Sequence, residues 1–338
     1  MNKLKLILLT LLVFILLNAI IVFLWPIRTN LKFANFNPYS EIYSNSLNLN
    51  EEEVLNLYLE TWQRERLFEY DQYTGIRESE SKNGKYVNIS KENGRLVANN
   101  PELCKKNVFF YGGEVVFGYD VTDRQSIPSY FRDILKSKNL EYCVYNFGRR
   151  TYFSTQENIL FQQHLNFNKI KKDDLIIFID GDNEIGVNRI LNTEFIEKNY
   201  NSLHQKYWKL YKVGIEHFIN LLPITQLYEV LFKRSKSQNN NHLKELKSKL
   251  DLKDVAIVYK NNVDIRNAIC EKYRLNCYNL LFFIDPKKKE TYIQIIKEKN
   301  VIELNNTEKT LLKNKFNSFS PDSNKFLASE IFKSILVN

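Results

Sequence analysis

A chain of 338 residues, 44% hydrophobic and 14% aromatic, has material for one large domain plus an appendage or for two small domains, and global disorder is excluded. Its formal charge is +9, from 48 basic against 39 acidic residues, and the excess gathers at Lys233-Arg234, Lys244 to Lys249 and Lys287-Lys288-Lys289. Such runs are solvated faces, or they draw a protein toward anionic lipid or acidic glycan near a membrane. No zinc-finger, helix-turn-helix or RNA-binding signature accompanies them, so nucleic acid is not an expected partner. No C-x-x-C spacing occurs, and neither a metal nor a cofactor is expected.

In chain order, the first element is the apolar run Leu6 to Trp25, interrupted only by Thr10 and Asn18. Its length matches one bilayer-spanning helix. Lys3 and Lys5 precede it, Pro26 and Arg28 follow, and no small-x-small cleavage site is evident. Residues 1–28 are therefore expected to be a signal anchor of a single-pass membrane protein, with the main domain on the non-cytoplasmic side. Residues 29–104 are read as a membrane-proximal connector packing on that domain. Within it, Asn50 before Glu51-Glu52-Glu53 is a helix start, with Val54, Leu55, Leu57, Tyr58 and Trp62 on the apolar side. The segment Phe68 to Asn99, with Gly75, Gly84 and Gly94, reads as loop and short strands.

From Asn107 onward strand and helix signals alternate, which implies a parallel sheet covered on both faces. Candidate strands are Val108–Tyr111, Tyr142–Asn146, Leu175–Ile179, Tyr278–Phe283 and Val301–Leu304. Ser126 with Pro128 opens a helix that turns Ile127, Tyr130, Phe131, Ile134 and Leu135 inward. Ser154-Thr155-Gln156-Glu157 has the spacing of a capping box. Asp254 opens a helix to Tyr273 with Val255, Val258, Ile265 and Ile269 inward, and a last helix from about Ser323 to Leu336 buries Phe326, Leu327, Ile331 and Ile335. The fold class is α/β, a three-layer α/β/α sandwich on a flavodoxin-like five-stranded parallel sheet. The long gap between the third and fourth strands predicts a mostly helical insertion at about 188–250, broken at Pro223 and at Ser235 to Asn241, whose aromatics serve packing.

Tyr111-Gly112-Gly113-Glu114-Val115-Val116-Phe117-Gly118-Tyr119, directly after Val108-Phe109-Phe110, resembles the first block of the SGNH/GDSL esterase and acyltransferase superfamily. There the pattern reads Gly-Gly-Ser-Thr-Thr-Phe-Gly and the serine is the nucleophile; here Glu114 stands at that place. Tyr145-Asn146-Phe147-Gly148 resembles the second block and Phe178-Ile179-Asp180-Gly181-Asp182-Asn183-Glu184 the third. The resemblance implies that the Gly148 N–H and the Asn183 amide line an oxyanion hole. The family's last motif is Asp, two residues, His, then an aromatic-Ser-Pro run. Aligned on Phe319-Ser320-Pro321, it puts Lys315 at the aspartate and Ser318 at the histidine. The four histidines are His164, His204, His217 and His242, none near this block. The resemblance covers residues 105–338. In that fold Cys104 and Cys143 flank neighbouring strands, while Cys270 and Cys277 are close in sequence. An oxidising compartment permits both pairs, and free buried thiols are the other reading.

The resemblance implies that Glu114, Gly148, Asn183, Lys315 and Ser318 converge at the carboxyl ends of the strands, where open α/β sheets place their sites. No catalytic triad is intact, and a carboxylate does not do the work of a base-generated alkoxide. Two function classes follow: a membrane-anchored pseudoenzyme that binds or scaffolds in envelope glycan or lipid metabolism, or an active esterase or O-acyltransferase on envelope glycans with an unconventional site. Asp182 and Glu184 are expected to be polar loop residues. Glu114 is expected to plug the old oxyanion hole, bonding the Gly148 N–H and the Asn183 amide near Lys315, with its pKa lowered.

Overall fold

The computed structural model describes residues 5–6, 9–10, 12–20, 47–63, 68–150, 152–167, 169–181, 184, 252–282, 290, 293–294, 301–303 and 320–336. The chain divides into two compact units, Met1–Tyr39 with Arg189–Leu250, and Ser40–Asn188 with Asp251–Asn338. Of the first unit, residues 12–20 are helical and largely exposed. Thr10 and Asn18, the two polar interruptions, return their side chains to the Leu6 and Phe14 carbonyls at 2.9 and 2.8 Å. Among the described residues no helix is long and apolar enough to cross a membrane. The helical insertion expected at 188–250 lies outside the described residues.

The second unit is built on a seven-stranded sheet. Its strands are β3 (Ile89–Ser90), β4 (Gly94–Arg95), β5 (Lys106–Gly112), β6 (Tyr142–Asn146), β7 (Leu175–Gly181), β8 (Asn276–Phe282) and β9 (Val301–Glu303), in the order β3-β4-β6-β5-β7-β8-β9. A separate hairpin joins β1 (Phe68–Asp71) to β2 (Gly75–Glu78). All five strands from β5 to β9 run parallel, and their spatial order is the 2-1-3-4-5 of a flavodoxin-like sheet. The expected count of five is exceeded by the hairpin β3–β4. Its second strand pairs in parallel with β6 through Gly94 and Arg95 against Asn146. The segment read as connector thus lengthens the sheet at one edge.

The strands are continuous apolar runs because both faces are covered. Val108 and Phe110 of β5, Ile177 and Ile179 of β7, and Leu280 and Phe282 of β8 pack on one face. They meet Ile127, Phe131 and Leu135 of α3 (Ile127–Ser137), and Leu327, Ile331 and Ile335 of α6 (Pro321–Leu336). The intervening residues Phe109, Tyr111, Ile176 and Phe178 pack on the other face. There they meet Leu160 and Phe161 of α4 (Ser154–Asn166) and Cys270 of α5 (Leu252–Tyr273). Period-two alternation therefore assigns each strand residue to one of two cores, giving three layers. Among the described residues of this unit two further α-helices are α1 (Glu51–Tyr58) and the single turn α2 (Glu114–Phe117).

Several local expectations hold, and two change. Asn50 and Glu53 form the capping box that opens α1, and Ser126 caps α3 with Pro128 in its first turn. On α5, however, Val258 and Ile265 are exposed. The buried stripe runs through Val255, Tyr259, Val263, Arg266 and Cys270. Val255 and Ile269 do pack inward as expected, but an arginine occupies the middle of the stripe where apolar spacing had put Val258 and Ile265. On α4 the expected capping box is absent: the cap residue is Phe153 and carries no side-chain cap bond. Glu157 is turned inward instead, toward Arg266.

Both cysteine pairs are closed. Cys104–Cys143 joins the approach to β5 with β6, and Cys270–Cys277 joins the end of α5 with β8.

Candidate functional site

The strand order reverses beside β5, so a crevice opens at the carboxyl ends of β5 and β7. β5 ends at Gly112, where a Cβ would meet Val116 Cγ2 at 2.3 Å and the Ile179 oxygen at 2.7 Å. Only glycine lets α2 fold back that tightly. Glu114 is the first residue of α2 and lies half-buried at this crevice. On the other side the turn after β6 approaches so closely that a Cβ on Gly148 would meet the Phe117 nitrogen at 2.3 Å. Asn146, fully buried, holds the two together: its Nδ2 donates to the Val116 carbonyl at 2.9 Å and its Oδ1 accepts the Gly148 N–H at 3.0 Å.

That last bond bears on the plug. The Gly148 N–H is given to Asn146 and not to Glu114. Among the described residues the Glu114 carboxylate makes no hydrogen bond and no ion pair. Its pKa is raised rather than lowered: burial pushes it up, Arg150 pulls it partly back, and the Asp120 and Glu78 carboxylates add to the rise. Asn183, Lys315 and Ser318 lie outside the described residues, as does Asp182.

Three arginines that the sequence motifs do not single out frame the crevice. Arg95, on β4, is almost wholly buried and binds the end of α2 and the loop behind it. It donates to the Phe117 carbonyl at 2.8 Å, to the Gly118 carbonyl, to the Val121 carbonyl at 2.6 Å and to Asp123 at 2.9 Å. Arg149 and Arg150 follow Gly148 directly and share Glu78 of β2, which is buried. Glu78 accepts the Arg150 backbone N–H at 2.8 Å and Nε at 3.3 Å, and lies 3.5 Å from Arg149 Nη1. Arg150 also donates Nη1 to the Tyr119 hydroxyl. Its guanidinium carbon stands 4.8, 5.6 and 4.6 Å from the Phe68, Phe117 and Tyr119 ring centres. One nitrogen is left over, since the buried Nη2 of Arg150 has no hydrogen-bond partner among the described residues. Paired arginines straight after a strand end were the available sequence signal, while Glu78, about seventy residues upstream, gave none.

A second polar group lies beneath the sheet, on the α4–α5 side. Glu157, Asp180 and Glu184 bring carboxylate oxygens within 4.8 Å of one another, all buried. Arg266 of α5 bonds Glu157 at 2.8 Å and Asp180 at 2.5 Å, and stacks 4.0 Å from the Phe178 ring centre. This ion pair is why Glu157 abandons the cap. Glu184 takes the vacated role, accepting the Ser154 N–H at 2.6 Å and the Ser154 hydroxyl at 2.7 Å. Glu184 is thus an interior cap and not the polar loop residue expected. Burial first, then the Asp180 carboxylate, push Glu184 up to about 8 and Glu157 well above the carboxylate range. Burial would lower the Arg266 pKa, but Asp180 and Glu157 more than offset it. Tyr259 and Asn262 extend the same network to Asp180 at 3.1 Å and to the Ser154 hydroxyl at 2.8 Å. These carboxylates already have an internal cation and a set of donors, so the arrangement serves to fasten β7, α4 and α5 together.

His164 is equally internal. It shares a 2.6 Å hydrogen bond with the Tyr111 hydroxyl behind the sheet, and burial, with Lys169 and Arg149 nearby, lowers its pKa to about 3. At neutral pH it is an uncharged core residue.

No protein-family model matches the chain, and no curated protein sequence does. Among solved structures it is similar to the psychrotrophic esterase EstA from Pseudoalteromonas sp., at 8% identity over 68% of this chain and 97% of that one, with a TM-score of 0.39. It is also similar to a catalytic mutant of Axe2, an acetylxylan esterase from Geobacillus stearothermophilus, at 13% identity over 69% and 95%, TM-score 0.38. A third is LAE5, an α/β hydrolase from the metagenome of Lake Arreo, at 10% identity over 69% and 95%, TM-score 0.31. The mixed α/β architecture rests on this chain's own strand order and register.

Proposed function

We propose that this chain is a membrane-anchored, non-catalytic member of the SGNH-like folds that binds a ligand at the crevice where a hydrolase would hold its nucleophile. The observation that carries this reading is the pair of substitutions of role around α2. Glu114 occupies the head of the turn after β5 without a base bonded to it, and the Gly148 N–H that would polarise a carbonyl is committed to Asn146 Oδ1. Without an activated nucleophile, and with the Gly148 N–H already engaged, two contributions on which acyl transfer depends are weakened. The apolar Leu6–Trp25 run argues for the anchor, and two disulfides suit an oxidising, non-cytoplasmic compartment. Envelope glycan or lipid is the partner class this location and the basic surface favour.

The purified full chain is expected to hydrolyse p-nitrophenyl acetate no faster than buffer and to remain unlabelled by a fluorophosphonate probe. Turnover that disappears in Glu114→Ala would overturn the reading and establish an unconventional esterase.

A further inference from the structure

A cavity of about 660 Å³ opens elsewhere on the second unit, between Lys85, Tyr86 and Asn88 of one loop, residues 96–100 after β4, and residues 122–125 ahead of α3. Its size falls within the roughly 300–1,000 Å³ of small-molecule sites. None of Glu114, Gly148, Arg149 and Arg150 lines it, so what it binds does not depend on the non-catalytic reading. The walls are fastened from behind. Glu60 accepts the Lys85, Tyr86 and Val87 N–H groups, each at 2.8 Å. Asp123 accepts the Asn88 N–H at 2.9 Å and the Arg95 Nε–H at 2.9 Å. Asn100 spends both ends of its amide on the Val144 backbone, at 2.6 and 2.9 Å. Gln125 donates to the Leu47 carbonyl at 2.9 Å and accepts the Thr122 hydroxyl at 2.9 Å. Walls pinned in this way are in place before a ligand arrives, which lowers the ordering cost of binding.

The same bonds decide what is left for a ligand. The charged side chains at the cavity are Lys85, Asp123 and Arg124. Asp123 is committed to Arg95, and Lys85 meets Glu53 at 3.1 Å. Arg124 is exposed and makes no hydrogen bond and no ion pair among the described residues. The uncompensated charge is therefore positive, on a guanidinium whose planar fork matches phosphate and carboxylate oxygens. The rest of the wall is largely aliphatic: Leu96 is 52% exposed, and Leu49, Val97 and Ala98 line the same cavity. An exposed leucine on open surface is ordinary. In a preformed cavity beside an unpaired arginine, it gives an anion a surface for its apolar part. We propose that this cavity binds a small soluble amphipathic anion, a phosphomonoester or carboxylate, with its charged group at Arg124 and its apolar body against Leu96. The volume suits a compact body and not the two chains of a phospholipid.

The test is calorimetric titration of the full chain in phosphatidylcholine nanodiscs, with empty nanodiscs as reference. Hexyl phosphate and hexanoate are the probes; inorganic phosphate, hexanol and hexylamine separate charge from apolar body. At least one of the two probes is expected to bind saturably, and more tightly than all three comparators. Arg124 is exposed and unbonded, so Arg124→Gln keeps the fold, and it should weaken the probe about fivefold, the worth of one exposed charge contact. Arg124→Lys should lose less. Leu96→Ser should weaken the probe and leave inorganic phosphate unchanged. Absence of saturable binding by both probes overturns the proposal. So does hexanol or hexylamine binding as tightly as they do, and so does an affinity that Arg124→Gln leaves unchanged. Displacement of the probe when phosphatidic acid is added to the nanodiscs overturns the assignment to a soluble ligand and names a lipid headgroup in its place.

Discussion

Two groups of buried charge lie in this unit, one at the turn after β6 and one on the α4–α5 side of the sheet, and among the described residues they are finished to different degrees. Around Arg266 every named member has its partners: Glu157 and Asp180 bond the guanidinium, Glu184 bonds Ser154 twice, and Tyr259 reaches Asp180. Around Arg150 the bonding among the described residues stays incomplete, with Nη2 undirected and Glu114 unengaged. A saturated network fixes the geometry of the elements it joins, because any change of partner strands a buried charge. An open one carries a standing cost that only a further group removes. The contrast separates two kinds of network: α4, α5 and β7 are fastened by the first, and the second lies beside the candidate site.

The largest effect expected is at the scaffold end. Arg266→Met leaves Asp180 and Glu157 buried without their cation, and removal of one partner from a buried ion pair costs about 3–5 kcal/mol. Chemical unfolding of the full chain should show a loss of that order. A loss below about 1 kcal/mol would mean the carboxylates hold protons in place of the arginine, and the division into closed and open networks would fall.

A pH scan sharpens the same comparison at intermediate size. The Glu184 pKa is raised from its usual 4.5 to about 8. The folded state therefore keeps a proton there that the unfolded chain releases. Its stabilisation is fully present below about 4.5 and is lost as pH rises toward 8, with a slope of at most about 1.4 kcal/mol per pH unit for one proton. The groups that face it are Asp180 from β7, Glu157 from α4, and Arg266 and Tyr259 from α5. Glu184→Gln removes the titrating group and should flatten the decline between about pH 5 and 8. An unchanged slope in that variant would assign the decline to Glu157 or to another site.

How much of this was legible in the sequence follows from what each residue does locally. The parallel strands, the caps of α1 and α3, and the apolar stripe of α6 are written in short-range patterns, and they stand where the patterns put them. The stripe of α5 was misread at Val258 and Ile265 because Arg266 is buried for a reason that lies in β7 and α4, which no window along α5 contains. Ser154 and Glu157 have capping-box spacing, but a longer-range ion pair outcompetes the local bond. At the candidate site Glu114 and Gly148 were visible from their blocks. Glu78, Arg95 and the partnering of Arg150 were not, since those contacts join strand ends up to 72 residues apart. Tertiary electrostatics, not propensity, accounts for each miss.

The smallest effect expected is at Glu114, and its smallness is the point. A side chain with no hydrogen bond and no ion pair among the described residues contributes no contact for a mutation to break. Burial raises its pKa, so the ionised carboxylate opposes folding at neutral pH. The sign follows: its contribution is most favourable below the usual 4.5 and fades as pH rises through the raised value. Glu114→Gln is therefore expected to change stability by no more than about 0.5 kcal/mol, toward stabilisation, with the gain larger at about pH 8 than at about pH 5. The same conservative change at Glu78, which serves both Arg149 and Arg150, should destabilise at both pH values. If Glu114→Gln instead costs more than about 1 kcal/mol, the carboxylate has a partner that stabilises the fold, and the open side of the comparison closes. If the two variants behave as expected, two glutamates near one arginine will have been separated into a structural residue and one on which folding does not depend.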